Sequence, residues 1–132
     1  MNGHFIPIHN AHAIALKDVP VLPFDHFREA VLVAVEAGGR LVTLFGRPVG
    51  SGVRLHAVVA TAEGALTTGA ADVAESYPAL TPDCAQANAF EREIAEQWGV
   101  RPEGHPWMKP VRFHRSYTGR DAWGRAADAE IL

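Results

Sequence analysis

Two stretches of the chain repeat their apolar residues at helical intervals, and between them lies a stretch whose apolar residues alternate. In the first, Phe27, Ala30, Val31, Ala34 and Val35 recur three and four apart between Phe24 and Ala37. Asp25 stands in the opening turn and Gly38-Gly39 at the far end, so the segment carries both a helix start and a helix stop. His26, Arg28, Glu29 and Glu36 fall on the opposite side, which predicts one face packed on a sheet and one in water. In the second, Ala87, Phe90, Ile94 and Trp98 keep helical spacing up to Gly99. Thr81-Pro82-Asp83 supplies a capping residue and a proline suited to a first helical position, so this helix is predicted to begin there.

The intervening residues read as strands. Arg40 to Gly46 is apolar on both alternating faces, which suits an inner strand, and a turn through Pro48, Gly50 and Gly52 follows. Val53 to Thr61 alternates Val53, Leu55, Ala57 and Val59 against Arg54, His56 and Val58, and Glu63-Gly64 turns it into Ala65 to Gly69. These three predict an antiparallel meander. Glu75 to Leu80 is a candidate edge strand, because Pro78 removes a ladder donor. Near the start, His4 to Ile8 and Ala13 to Lys17 read as a hairpin around Asn10-Ala11, and Pro20 and Pro23 then break any ladder before the first helix. The expected fold is α+β: a mostly antiparallel sheet of about four strands packed by two helices. Residues 1–99 make that domain, and 100–132 form an extended tail with Pro102, Pro106 and Pro110 among Trp107, Phe113, Tyr117 and Trp123. A segment that simply stays solvated is poor in such aromatics, so the tail is expected to tie itself to a surface of this domain or of a partner.

Composition narrows the function classes. The 132 residues suit one domain, and a formal net charge of -3 gives no field for nucleic acid. No apolar run reaches the about 20 residues of a membrane-spanning helix, and the start lacks the basic and apolar regions of a signal peptide, which points to the cytoplasm. Cys84 is the only cysteine, so the chain has no internal disulfide and cannot by itself hold an iron-sulfur cluster through four thiolates. At a helix start it reads as a packing thiol, since no His or Asn close in sequence makes it a nucleophile. Among seven histidines, His9 and His12 are closely spaced but have no accompanying cysteine, so no zinc ligand set forms. Gly46 to Gly52 lacks the lysine and the closing GK[ST] of a phosphate loop.

The informative segment is Phe90 to Val111, FEREIAEQWGVRPEGHPWMKPV. At about 100° per residue, Glu91 lies beside the stripe of Ala87, Ile94 and Trp98, Arg92 points away, and Glu93 sits on the flank. Glu91 is therefore expected to be partly buried and to need a cationic or backbone partner, with Arg112 or an arginine of a partner protein as candidates. Arg92 and Glu96 can pair across one turn, Gly99 supplies a left-handed exit, and Gly104-His105-Pro106 turns the chain. Glu91 and Glu93 point in different directions, which excludes a paired-carboxylate glycosidase site. Trp107 among prolines suits an interface anchor.

This segment resembles the signature of the 30 kDa subunit family of complex I, the respiratory NADH dehydrogenase. There an E-R-E triplet on a helix is followed by an acidic residue, a Gly-hydrophobic exit and a G-H-P turn. Glu91, Arg92, Glu93, Glu96, Gly99, Val100, Gly104, His105 and Pro106 match it, with Lys109 at a basic position downstream. The likeness is strongest over Pro78 to Tyr117 and weaker over the preceding sheet. Gln97-Trp98 stands where the family usually has two apolar residues, and Trp107-Met108-Lys109 where it often has an Asp-Leu-Arg-like run. In those positions the chain is similar to the N-terminal domain of the large subunit of hydrogenase 4 and formate hydrogenlyase complexes, although it lacks a nickel-holding C-x-x-C pair.

The resemblance implies a non-catalytic assembly subunit of a membrane-bound, energy-converting [NiFe]-hydrogenase-type complex, peripheral on the cytoplasmic face of the inner membrane. Its expected partners are the nickel-bearing or quinone-site large subunit and the iron-sulfur small subunit. The nickel-iron site and the clusters are expected in those partners, with no cofactor on this chain. The interface residues implied are Glu91, Arg92, Glu93, Glu96, Gly99, Gly104, His105, Pro106, Trp107 and Lys109. The alternatives are the 30 kDa subunit of a respiratory NADH:quinone oxidoreductase and an independent small-molecule enzyme or binding module.

Overall fold

The computed structural model describes residues 4–111. Two helices appear where the apolar periodicity places them: α1 at Phe24–Glu36 and α2 at Asn88–Trp98. The strands are β1 at Ile6–Ile8, β2 at Arg40–Val49, β3 at Gly52–Ala60, β4 at Leu66–Val73, β5 at Ser76–Pro78 and β6 at Arg101–Glu103. The first four form an antiparallel sheet in the order β1-β4-β3-β2, so the fold is α+β as expected.

The β2–β3–β4 meander forms in full. Val49 pairs with Gly52 across Gly50-Ser51, and Gly50 supplies the positive φ that a two-residue hairpin loop requires. β2 runs straight through Pro48 instead of turning there, and it lies at the edge of the sheet, not inside it. Its two-faced apolar pattern has a local cause. A register shift between Leu41 and Thr43 inserts an extra residue, which turns Leu41 and Leu44 to the same buried face. An edge position also suits Pro48, whose missing N–H faces no partner strand.

The N-terminal hairpin does not form. Asn10-Ala11 does turn, with Ala11 at a φ of 66° and the His12 N–H on the His9 carbonyl. β1, however, pairs with β4, while Leu16–Asp18 is a short 3₁₀ turn instead of a strand. Long-range packing decides this: the Phe5 ring lies on the bare backbone of Gly69 in β4, where a Cβ would collide with it, and also meets Phe27 of α1. After Pro20 the chain rejoins the edge of β4 through the Ala70 N–H on the Pro20 carbonyl and the Leu22 N–H on the Ala70 carbonyl.

β5 stands apart from the main sheet and pairs in parallel with β6, and α2 is the crossover that joins them. Parallel neighbours need such a connection, so the chain beyond Gly99 does not leave the domain at once. Val100 and Pro102 are buried, and the Ala79 N–H binds the Glu103 carbonyl. The core fills the space between the inner sheet face and the helices. Phe27 and Val31 of α1, Leu44 and Leu55 of the sheet, Leu80 before α2 and Ile94 within it are all at most 1% exposed. Arg28, expected in water, instead ties α1 to the β5–α2 connection through the Ala79 carbonyl and Asp83. Among the described residues no helix is long and apolar enough to cross a membrane.

Candidate functional site: the second helix and the strap across it

α2 begins at Asn88, six residues after Pro82, because Thr81 is committed elsewhere. The Thr81 N–H and hydroxyl both donate to Glu91 Oε1, at 2.9 and 2.6 Å, and the Leu80 N–H donates to Glu91 Oε2 at 2.9 Å. Glu91 is thus wholly buried, and its partners among the described residues are two main-chain groups and a hydroxyl from the preceding loop; the candidate Arg112 lies outside those residues. Buried carboxylates demand such donors, and the loop before the helix supplies them. Burial and then the charge of this carboxylate push the Tyr77 phenol pKa well above its ordinary value. Gly99 ends the helix at a φ of 70°, as the sequence indicates, and Gly104 turns the chain at 84°.

Residues 105–111 then run back over the helix as a strap. Arg92 donates from Nε to the Lys109 carbonyl at 2.9 Å and from Nη2 to the Pro110 carbonyl at 3.1 Å. Glu96, also wholly buried, accepts the Val111 N–H at 2.9 Å. His105 closes the near end: its Nδ1 accepts the Trp107 N–H at 3.0 Å, which leaves Nε2 as the donor to the Asn88 carbonyl at 3.3 Å. That pair of contacts selects the Nε2–H tautomer and makes His105 a turn residue. Over the strap, the Arg92 guanidinium carbon and Lys109 Nζ lie 5.0 and 4.7 Å from the centroid of the Trp107 ring. Trp107 itself is 51% exposed.

The sequence model of the respiratory-chain NADH dehydrogenase 30 kDa subunit family matches residues 10–122. The chain belongs to that family. No individual curated protein matches it. In this 30 kDa-family subunit the matched span covers the whole meander, both helices and the strap. The structure brings Arg92, Glu96, His105, Trp107 and Lys109 together under and along the strap, whereas Glu91 faces the loop that precedes the helix. Arg112, Phe113, Tyr117 and Trp123 lie outside the described residues.

Several features of the subunit had no local signal in the chain. Thr81 reads as a helix cap, yet it holds Glu91. Gln86 Oε1 accepts the Leu41 N–H at 2.8 Å and so pins the edge strand β2 to the turn before α2. Cys84 is buried, and burial is the first cause that raises its thiol pKa, which suits packing more than reactivity. Among the described residues no group of three or more His, Cys, Asp or Glu side chains could hold a metal ion. An open groove of about 470 Å³ runs beside α1, lined by residues that include Phe5, His26, Glu29 and Val33.

On the sheet, His56 is 4% exposed and stacks on Phe45, with ring centroids 5.3 Å apart. Arg47 Nε donates to its Nε2 at 2.9 Å, so Nε2 is unprotonated. Burial first, then Arg47 and Arg54, lower the His56 pKa, while Asp72 opposes them. Asp72 is held low mainly by the Arg54 guanidinium, 2.6 Å away. Below the ordinary histidine value of about 6.5, the unfolded ring takes a proton that the native ring refuses. Stability contributed here is therefore present above that value and falls as pH drops from it through the lowered native pKa. Urea melts on either side of about pH 6.5 should show this slope, and His56→Gln should flatten it. An unchanged slope in the variant would remove His56 as its source.

Proposed function

We propose that this protein is a non-catalytic scaffold of a membrane-bound, energy-converting complex, and that the strapped face of α2 is where its partners dock. The observation that carries the reading is the use made of the charged signature. Arg92 and Glu96 bond main-chain groups of residues 109–111, which holds Trp107 and Lys109 outward on a fixed backbone, while Glu91 ties the loop before the helix to it. Such an arrangement positions a surface and leaves the electron and proton transfer to other subunits.

Within the family, the hydrogenase branch is the reading favoured by Gln97-Trp98 and Trp107-Met108-Lys109. On it, the partners are a nickel-bearing large subunit and an iron-sulfur small subunit, which carry the nickel-iron site and the clusters, and the complex lies on the cytoplasmic face of the inner membrane. Membership of a respiratory NADH:quinone oxidoreductase is the second reading, and the same family match supports it. Purification of the intact complex from native membranes separates the two. Co-purified subunits with nickel-ligating C-x-x-C pairs are expected, whereas NADH-binding subunits would select the respiratory enzyme. An isolated chain that turns over a small molecule without partners would overturn the scaffold reading itself.

Trp107→Ala should weaken association with the large subunit by about 2 kcal/mol, roughly thirtyfold in Kd, as exposed tryptophan anchors do. Because half of the ring is already in water, the melting temperature of the isolated chain should move by less than about 4 °C. Unchanged binding with a collapsed melting temperature would assign Trp107 to the domain core.

A further inference from the structure

We propose that Trp107, Arg92 and Lys109 form a receptor for an acidic segment of a partner protein, with an aspartate or glutamate carboxylate seated at the indole rim between the two cations. The inference rests on the scaffold reading and names the chemistry of the partner at that site.

Both cations stand over one ring, at 5.0 and 4.7 Å from its centroid. An aromatic ring is electronegative on its faces and electropositive at its rim, so cations above the ring use the negative part and leave the positive rim to solvent. Arg92 cannot swing away to relieve the crowding, because Nε and Nη2 are both bound to strap carbonyls. The two charges lie within about one Debye length of each other, so their fields add at the exposed edge of the ring. Among the described residues the ion pairs are Arg28–Asp83 and Arg54–Asp72, and neither Arg92 nor Lys109 is paired with a carboxylate.

A chain with a net charge of -3 therefore holds a fixed positive site around an exposed tryptophan. An anion at the rim meets two cations and a polar N–H edge at once, and electrostatic complementarity of this kind fixes register between subunits. A protein carboxylate fits better than a membrane surface. Anionic bilayers call for clusters of about four to eight basic residues, and this site has two. The exposed Val111 and half-buried Met108 beside it add the apolar contact typical of a protein interface.

The test is zero-length coupling in the complex purified from native membranes. A water-soluble carbodiimide activates a carboxylate, the Lys109 amine attacks the activated carbonyl, the urea departs, and an amide remains. Mass spectrometry should find Lys109 joined to an Asp or Glu of a different subunit, with the yield cut about tenfold in 1 M salt, where the Debye length is about 3 Å. Lys109→Arg should keep association and lose the link. Lys109→Glu should weaken association at least tenfold with the melting temperature of the isolated chain unchanged.

A complex in which Lys109 is uncoupled and open to acetylation would overturn the proposal and leave the scaffold reading standing. So would Lys109→Glu that associates as tightly as the native chain, or Lys109-dependent binding to phosphatidylglycerol vesicles in place of the coupling. A chain that co-purifies with no other subunit would instead sink the scaffold reading on which the proposal rests.

Discussion

Glu91→Ala is expected to destabilise the domain by about 3 kcal/mol or more. The carboxylate accepts the Leu80 N–H, the Thr81 N–H and the Thr81 hydroxyl, and all three bonds are buried. Removing it leaves those donors dry, at about 1 to 3 kcal/mol each, together with a void in the buried side of α2. In a domain of this size that lowers the melting temperature by about 12 °C or more. Glu91→Gln keeps one acceptor oxygen but turns an amide NH₂ toward a donor, so it should recover only part of the loss. Urea melts measure both variants, with a shift in midpoint at constant slope expected. An alanine variant within about 1 kcal/mol of the native chain would mean that water reaches the three donors and that the buried carboxylate is not what anchors α2.

Gly39→Ala should cost about 3 kcal/mol, whereas the same change at its neighbour Gly38 should cost about 1 to 2 kcal/mol. At Gly39 a Cβ would lie 2.5 Å from the Ala60 carbonyl oxygen and 2.6 Å from that of Ala34. Both obstacles are main chain, one at the end of β3 and one in α1, so relief requires moving the helix against the sheet. At Gly38 the nearest atom is the Ala62 Cβ at 3.5 Å, and the cost is only that of an alanine held at a φ of 96°. Thermal melts of the two single variants check the order. If Gly38→Ala proves the more damaging, the conformation of the turn outweighs the close approach of α1 to β3.

The glycine pair and Glu91 mark where local pattern stops being informative. Gly38-Gly39 is legible as a helix stop, because any glycine pair after an amphipathic run ends a helix. Which of the two is indispensable depends on the Ala60 carbonyl, 21 positions further on, and no local pattern encodes that approach. The second helix is similar. Its stripe and its Gly99 exit are read correctly, but its start is not, since Thr81-Pro82-Asp83 has the chemistry of a cap and the fold spends Thr81 on Glu91. At the candidate site the residues Glu91, Arg92, Glu96, His105 and Trp107 can be picked out in advance. Their partners cannot, because five of the bonds that define the strap join positions 15 to 18 apart or the two sides of a turn.

By itself, the chain determined its elements with strong periodicity: both helices, the β2–β3–β4 meander and the G-H-P turn, together with the family to which it belongs. Helical and alternating spacings act over a few residues, so they are visible in a window of that length. Only the tertiary structure decided that β1 pairs with β4, that β2 is an edge with a bulge, and that α2 is covered on both sides. The reason is physical. A carboxylate on a helix is solvated by default, and Glu91 and Glu96 become buried only because a loop before the helix and a strap after it bring main-chain donors to them. Burial of a charge depends on what arrives from elsewhere in the chain, and that is a property of the fold.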